Sequence, residues 1–257
     1  MYQILAYIKF LFRSTNQHGV HSPFVYDLLT KCLYVKNQNP AHQKIRSYIK
    51  AVLNDNQIIK VTDFGAGSKV FKSADRKVGA IAKNAGISER RAILLNKLVS
   101  YFGFKNGLEL GTSVGIASAA IAINNPIKLT TLEGCPETAK IAQQYFDKFN
   151  LRNIQLQIGE FDDSLKSILE NNSSLDLVYF DGNHQKMPTL KYFNSLLPLV
   201  HNDSVFIFDD IHWSEEMEDA WEEIKAHPEI RVTIDSFFWG IVFFRKEQEK
   251  EHFTIRL

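Results

Sequence analysis

From Tyr101 onward the sequence alternates between short apolar runs and helical stretches, and this alternation limits the fold more than any other feature. The apolar runs are Gly107–Leu110, Lys128–Leu132, Ile154–Ile158, Leu175–Phe180 and Ser204–Phe208. Helical spacing fills the intervals, over Val114–Ile123, Pro136–Phe149, Ser164–Leu169, Pro188–Leu199 and Ser214–Ala226. Strands that alternate with helices form βαβ units, so the pattern predicts an α/β fold with a parallel sheet covered on both faces.

The last predicted strands depart from this alternation. Arg231–Asp235 and Phe237–Phe244 are strand-like runs separated only by Ser236, which leaves no room for a helix. We therefore expect them to pair as an antiparallel hairpin. A parallel sheet that ends in such a hairpin is not expected of a plain dinucleotide-binding domain.

The first 100 residues carry helical patterns without the strand alternation. Phe24–Leu33 and Ala41–Leu53 have helical spacing, and a Gly- and Pro-containing loop precedes the first of them. We divide the chain into a helical N-terminal extension, residues 1–100, which we interpret as a lid, and a cofactor-binding domain, residues 101–257.

Charge and composition exclude several classes of protein. The 257 residues carry a net charge of +1 and 45% hydrophobic residues, which fits a globular protein without a broad nucleic-acid surface. Two cysteines do not form a disulfide framework, and reduced thiols favour a cytoplasmic location. Met1–Phe12 is apolar but shorter than the ~20 residues that span a bilayer. It is interpreted as an amphipathic docking helix, with peripheral membrane contact as the alternative, and no transmembrane segment is expected.

Two glycine-rich segments compete for the role of cofactor loop. The first contains Gly65 and Gly67, and the second contains Gly111, Thr112, Ser113 and Gly115. A nucleotide loop needs a helix directly after it and an acid at the end of the next strand, about 20 residues on. Only the second has both, because a small apolar helix follows and the next strand ends at Glu133. The first segment is interpreted as a tight turn or hairpin, with a role as a substrate-side lid as the alternative.

Glu133 stands where an acid would bind the two hydroxyls of a ribose. A carboxylate accepts two hydrogen bonds from a vicinal diol, which an amide or a hydroxyl does less well. The alternative is a solvated acid at the end of a strand.

The order of these features resembles the class I S-adenosylmethionine-dependent methyltransferases, and more narrowly the catechol and caffeoyl-CoA types of O-methyltransferase. The likeness covers Tyr101 to about Arg245 and rests on Glu109-x-Gly111-x-x-x-Gly115, Glu133, Gly159-Glu160-Phe161-Asp162, Asp181-Gly182 and the hairpin. It implies a Rossmann-like seven-stranded sheet and S-adenosylmethionine as cofactor. It also implies that Glu109 and the loop lie by the methionine part and that Glu133 binds the ribose. Gly159, Glu160, Phe161 and Asp162 would border the adenine, with Asp181 also at the cofactor.

Three acids follow the fourth and fifth predicted strands. Asp181, Asp209 and Asp210 fall at the strand ends where open α/β sheets bind ligands. Neighbouring carboxylates repel, and Mg²⁺ or another divalent cation would relieve that repulsion. The resemblance places metal ligands at these positions, although Asp210 stands where that family usually has Asn. The alternative is that Asp181 and Asp209 orient helix N-termini and bind no metal.

The catalytic base is assigned to His184, beside Asp181. The cation-dependent members of the family carry a lysine shortly after this Asp, whereas this chain has Gly182-Asn183-His184. Histidine has an ordinary pKa of ~6.5, which suits proton removal near neutral pH. His212 and Trp213 either wall an acceptor pocket or pack in the interior.

The sequence therefore predicts an enzyme that methylates a hydroxyl of a small phenolic acceptor, with a metal ion as a candidate participant. A homodimer is compatible with the sequence. Two rivals remain at this point: an NAD-dependent oxidoreductase, although the loop lacks Gly-x-Gly-x-x-Gly spacing, and a non-catalytic methyltransferase-like binding module.

Overall fold

The computed structural model describes residues 2–36, 39–62, 73–171 and 173–257. Within it the chain forms two compact units, one made of residues 1–35 and 173–257 and the other of residues 36–172. The boundary that the sequence predicts between residues 100 and 101 falls inside the second unit. Gly65 and Gly67 of the first glycine-rich segment lie outside the described residues.

The helices alternate with strands over most of the chain. They are α1 (Tyr2–Arg13), α2 (Pro23–Leu28), α3 (Pro40–Leu53), α4 (Val78–Ala85), α5 (Glu89–Phe102), α6 (Ile116–Ala122), α7 (Pro136–Lys148), α8 (Phe161–Glu170), α9 (Lys186–Leu196) and α10 (Glu215–Ala226). No described helix is long and apolar enough to cross a membrane.

The strands are short, as is usual for α/β proteins. They are β1 (Ile58–Lys60), β2 (Asp75–Lys77), β3 (Asn106–Leu110), β4 (Lys128–Glu133), β5 (Ile154–Ile158), β6 (Leu177–Phe180), β7 (Val205–Asp209), β8 (Val232–Asp235), β9 (Trp239–Phe243) and β10 (Glu251–Thr254).

In the unit of residues 36–172, β3, β4 and β5 pair in parallel in that order. The helix that follows β3 is α6, whose residues are all buried and mostly alanine, so its backbone packs closely. Ser88 caps α5 by accepting a hydrogen bond from the Arg91 N–H, and Gly103 ends that helix in the left-handed conformation. The strands β1 and β2 form a separate antiparallel pair.

In the other unit, β6 and β7 are parallel, and β9 pairs antiparallel with both β7 and β8. Every residue of β6 and β7 is buried, which explains their continuous apolar sequence. The expected hairpin is therefore confirmed. The seven strands that the sequence predicts correspond to β3–β9, and β10 adds an unpredicted strand that runs parallel to β8. The α/β fold class is confirmed.

Candidate functional site

The loop between β3 and α6 is closed by hydrogen bonds from its own backbone. Gly111 has a φ of 102°, and the N–H groups of Gly111 and Thr112 both donate to the Leu132 carbonyl, at 3.0 and 3.1 Å. The Gly115 N–H donates to the Thr112 carbonyl at 2.8 Å. These donors are used inside the protein, which leaves them unavailable to a phosphate group.

Glu109, near the end of β3, is fully buried beneath this loop. One carboxylate oxygen accepts hydrogen bonds from Ser118 and Thr131, while Oε1 has no partner in the described part of the chain. Burial raises the pKa of Glu109 to about 7, against the lowering effect of Ser118 and Thr131, with a further increase from the Glu133 charge. A buried carboxylate oxygen without a donor is costly unless a ligand supplies one.

Glu133 ends β4 and holds the loop from the other side. Its Oε2 accepts from the Ser113 N–H at 2.8 Å, and its Oε1 accepts from the Cys135 N–H at 2.9 Å. Ser113 has a φ of 49°, so this contact stabilises an otherwise disfavoured backbone. The half-buried carboxylate lies at the strand end, where the acid of a nucleotide-binding fold would meet the ribose hydroxyls.

Gly115 is required by packing as well as by backbone conformation. Its φ is +77°, and a Cβ there would lie 2.6 Å from a Phe146 ring carbon and 2.6 Å from the Tyr48 hydroxyl. Tyr48 also donates to the Val114 carbonyl at 3.1 Å. The glycine therefore lets α3 and α7 approach the start of α6.

The segment predicted to border the adenine connects β5 to α8. Gly159 has a φ of 153° and donates its N–H to the Glu133 carbonyl at 3.0 Å. Glu160 precedes α8, and Phe161 and Asp162 open it. Glu160 and Asp162 are exposed, whereas Gly159 and Phe161 are half-buried. The hydrogen bond to Glu133 thus joins this segment to the end of β4.

In the other unit, the predicted catalytic pair follows β6. His184 Nε2 lies 3.8 Å from Asp181 Oδ1, within ion-pair distance but beyond a hydrogen bond, and both side chains are largely buried. The turn between them contains Asn183 at a φ of 63°. The His184 ring lies 6.3 Å from that of Trp213. The two side chains are therefore neighbours in the segment that follows β6.

The three predicted metal ligands do not assemble. Asp209 is buried and accepts from the Tyr179 hydroxyl at 3.2 Å and from the Asp210 N–H at 3.0 Å. Asp210 has a left-handed backbone, with a φ of 55°. Within the described ranges, no group of three His, Cys, Asp or Glu side chains is arranged to hold a metal ion. Asp181, Asp209 and Asp210 therefore do not form a preassembled three-carboxylate site in the described residues, and a bound cation stays a prediction.

A pocket of about 270 Å³ opens beside Asp210. Its walls come from α1, from the segment after β7 and from the turn between β8 and β9. The lining residues are Gln3, Ile4, Tyr7, Ile8, Asp210, His212, Trp213, Phe237 and Phe238. Of these, only His212 and Trp213 were singled out from the sequence as candidate pocket walls. No local motif marks the others, since they come from opposite ends of the chain.

His212 is fixed in the pocket wall by carboxylates. Its Nε2 donates to Asp235 Oδ2 at 3.0 Å, its Nδ1 lies 3.6 Å from Glu218, and its ring stacks on Phe237 at 5.2 Å. Burial by itself lowers the pKa of His212, but the hydrogen bond to Asp235 and the charges of Asp235 and Glu218 outweigh burial and raise it. His212 therefore keeps its proton more readily than an ordinary histidine.

Comparison with known proteins agrees with this arrangement. Residues 105–211 match the family model described as a methyltransferase domain. No curated protein matches the chain significantly.

Solved structures match nearly the whole chain at low identity. The O-methyltransferase from Bacillus cereus, in complex with SAH, is 20% identical, with 86% of this chain and 95% of that chain covered and a TM-score of 0.54. TomG from Streptomyces achromogenes, an O-methyltransferase involved in tomaymycin synthesis and in complex with SAM, is 15% identical, with coverages of 90% and 99% and a TM-score of 0.57. SAH-bound methyltransferase PaMTH1 from Podospora anserina is 12% identical, with coverages of 88% and 97% and a TM-score of 0.60.

These matches confirm the resemblance on which the sequence interpretation rests. The family model spans the glycine loop, Glu133 and the acids after β6 and β7. The solved structures share the fold across both units of the chain. Residues 105–211 match a methyltransferase domain, and the chain has the fold of the O-methyltransferases to which it is similar.

Proposed function

We propose that the protein transfers a methyl group from S-adenosylmethionine to a hydroxyl of a small phenolic acceptor. The observation that carries the proposal is the loop between β3 and α6. The N–H groups of Gly111, Thr112 and Gly115 donate to backbone carbonyls, and the N–H group of Ser113 donates to the Glu133 carboxylate. Because these N–H groups are not available to bind a pyrophosphate, the loop favours S-adenosylmethionine over a dinucleotide.

The residues around the loop fit S-adenosylmethionine. Glu109 offers a buried oxygen without a donor, and the half-buried Glu133 lies at the strand end where a ribose diol would bind. Gly111, Thr112, Ser113 and Gly115 would lie beneath the methionine part, and Gly159–Asp162 would border the adenine. When bound, the cofactor supplies an electrophilic methyl group.

The acceptor is assigned to the pocket beside Asp210. Six of the side chains that line the pocket are aromatic or aliphatic and suit a flat ring: Ile4, Tyr7, Ile8, Trp213, Phe237 and Phe238. Asp210 gives the pocket one carboxylate, which accepts a hydrogen bond from a hydroxyl and repels an anionic acceptor.

The transfer itself needs alignment and one proton acceptor. The protein would have to hold the acceptor hydroxyl in line with the methyl group that the cofactor supplies, and to take the proton that this hydroxyl loses. The hydroxyl proton passes to His184, which lies beside Asp181. His184 is preferred to His212 as the base, because burial lowers the pKa of His212 less than the Asp235 hydrogen bond and the charges of Asp235 and Glu218 raise it.

A divalent cation is left out of the mechanism. Asp209 accepts hydrogen bonds from the Tyr179 hydroxyl and from the Asp210 N–H, and the proposed transfer uses no metal ion. A cytoplasmic location is kept as part of the proposal because both cysteines are free and buried.

The deciding experiment is an acceptor screen with labelled S-adenosylmethionine, run with and without EDTA. Methylated phenols in both arms would support the proposal, and loss of turnover with EDTA would reinstate a metal ion. Calorimetry with S-adenosylhomocysteine on Glu133→Ala should show a loss of roughly 1.5–3 kcal/mol in binding. Cofactor binding without turnover on any acceptor would favour the binding-module alternative, and binding of NAD in place of S-adenosylmethionine would overturn the cofactor assignment.

A further inference from the structure

The outer face of α1 is apolar and open to solvent. At about 100° per residue, Leu11, Ile4, Ile8, Phe12 and Leu5 occupy one arc of about 120°. Phe12 is 87% exposed, Ile4 67% and Leu5 54%, and Ile8 and Leu11 are also exposed. Single exposed apolar residues need no explanation, but a continuous stripe of five marks an interaction surface.

The inner face of the same helix is firmly docked, so the outer stripe is a fixed feature of the fold. Ala6 and Phe10 are buried with Phe237 in one small cluster. The rings of Tyr7 and Phe10 lie 4.8 and 5.5 Å from that of Phe237. The Tyr2 hydroxyl donates to Glu218. Rotating α1 to hide its stripe would break these contacts.

Charge is divided between the two ends of α1. Residues 2–26 contain no Asp or Glu, and α1 itself carries Lys9 and Arg13. Exposed Arg256 adds a third cation near the carboxyl end, because its N–H donates to the Thr15 carbonyl at 3.0 Å. The acids Glu215, Glu218 and Asp219 of α10 act on Tyr2, at the opposite end. The carboxyl half of the helix is therefore the end suited to an anionic surface.

The size of the stripe favours a membrane over a second copy of the chain. A 12-residue helix is about 18 Å long and about 10 Å wide, so its outer face offers on the order of 200 Å². A stable protein interface buries about 800 Å² on each partner. An interfacial helix needs only to insert its apolar face about 5–10 Å into the headgroup region.

We propose that α1 docks on an anionic membrane surface, with Phe12, Leu11 and Ile8 inserted and Lys9, Arg13 and Arg256 against the headgroups. The inserted side chains supply apolar burial, and the cations supply attraction that salt weakens. The inference goes beyond the methyl transfer proposed above and does not depend on it.

The test is flotation of the full-length protein with vesicles of phosphatidylcholine alone or with added phosphatidylglycerol. We expect binding to the anionic vesicles that falls with salt and a loss of at least ~10-fold in partitioning for Phe12→Glu. Ile4→Glu, at the acidic end, should lose less. Met187→Glu is the matched control, because Met187 is 74% exposed on α9 and its replacement should leave partitioning unchanged.

A second variant guards against misfolding as an explanation. Lys9→Gln with Arg13→Gln leaves the apolar stripe intact and should weaken binding to anionic vesicles by roughly 5-fold per charge. Circular dichroism checks that each variant is folded. Failure of the unmodified protein to float, or equal losses for Phe12→Glu and Met187→Glu, would overturn the proposal. So would a dimer in analytical ultracentrifugation that Phe12→Glu converts to a monomer.

Discussion

The loop after β3 and the pocket beside Asp210 use carboxylates in different ways. In the loop, Glu133 accepts hydrogen bonds from backbone N–H groups, so the side chain fixes the course of the main chain. In the pocket, Asp235 and Glu218 act on His212, and Glu218 also binds Tyr2. A backbone held in this way tolerates few substitutions, whereas a wall made of side chains from separate elements can change one residue at a time. The loop thus suits an invariant cofactor and the pocket a variable acceptor.

The largest effect is expected where the loop is tightest. Gly115→Ala adds a Cβ at a φ of +77° and 2.6 Å from both Phe146 and Tyr48. Backbone strain and overpacking together should lower the free energy of unfolding by about 3–5 kcal/mol in urea titrations. Gly103→Ala is the matched control, because Gly103 has a φ of +66° but a Cβ there would meet no described atom within 4 Å. This substitution should lower the free energy of unfolding by only about 1 kcal/mol. Equal losses would mean that packing does not fix the loop.

Glu109 should make the free energy of unfolding depend on pH. Its pKa is raised from 4.5 to about 7, so between those values the folded protein binds more protons than the unfolded chain. The free energy of unfolding should therefore fall as pH rises through this range, by on the order of 3 kcal/mol. Glu109→Gln should remove that slope in urea titrations at several pH values. A slope that survives in the variant would assign it to other groups.

Substitution of His184 tests whether this residue takes the proton from the acceptor. His184→Ala should lower kcat by about 10²-fold or more if it takes the acceptor proton. His201→Ala is the matched control, since His201 also pairs with an aspartate, Asp176 at 2.8 Å, but precedes β7 rather than following a strand end. Steady-state kinetics on the acceptor found in the screen would measure both. Similar losses in the two variants would point to a structural role for His184.

The smallest effect is expected at His212. Because the pKa of His212 is raised in the folded protein, the stability that this residue contributes is fully present below about pH 6.5. It is lost as pH rises through the pKa that His212 has in the folded protein. His212→Gln should therefore cost about 1 kcal/mol at pH 5.5 and less at pH 8.5. His227 provides the opposite sign, because burial lowers its pKa. A loss for His212→Gln that does not vary with pH would contradict the raised pKa.

Sequence reasoning reached the loop because its determinants are local. The glycine spacing, the small residues of α6 and the acid at the end of β4 lie within about 25 consecutive residues. The pocket was only partly accessible, since Tyr7, Asp235 and Phe237 become neighbours through packing and carry no spacing signal. β10 was missed because Glu251–Thr254 is short and half polar.

The metal prediction, which stays untested, rests on the positions of three acids at strand ends. Asp209 does end β7, as expected, but its side chain is 4% exposed and bonded to Tyr179. Position in a strand places the backbone, and the partner of a side chain decides where the carboxylate points. Whether residues 1–100 act as a lid stays a prediction, which a truncation starting near Ser88 would test by its acceptor selectivity.

Two residues of α1 belong to two surfaces at once. Ile4 and Ile8 line the pocket and also form part of the exposed stripe. A ligand in the pocket and a membrane on the stripe would therefore contact the same side chains. Binding at one surface then changes the free energy of binding at the other. Thermodynamic coupling is reciprocal: if lipid vesicles tighten a ligand in the pocket by some factor, that ligand tightens the hold on the vesicles by the same factor.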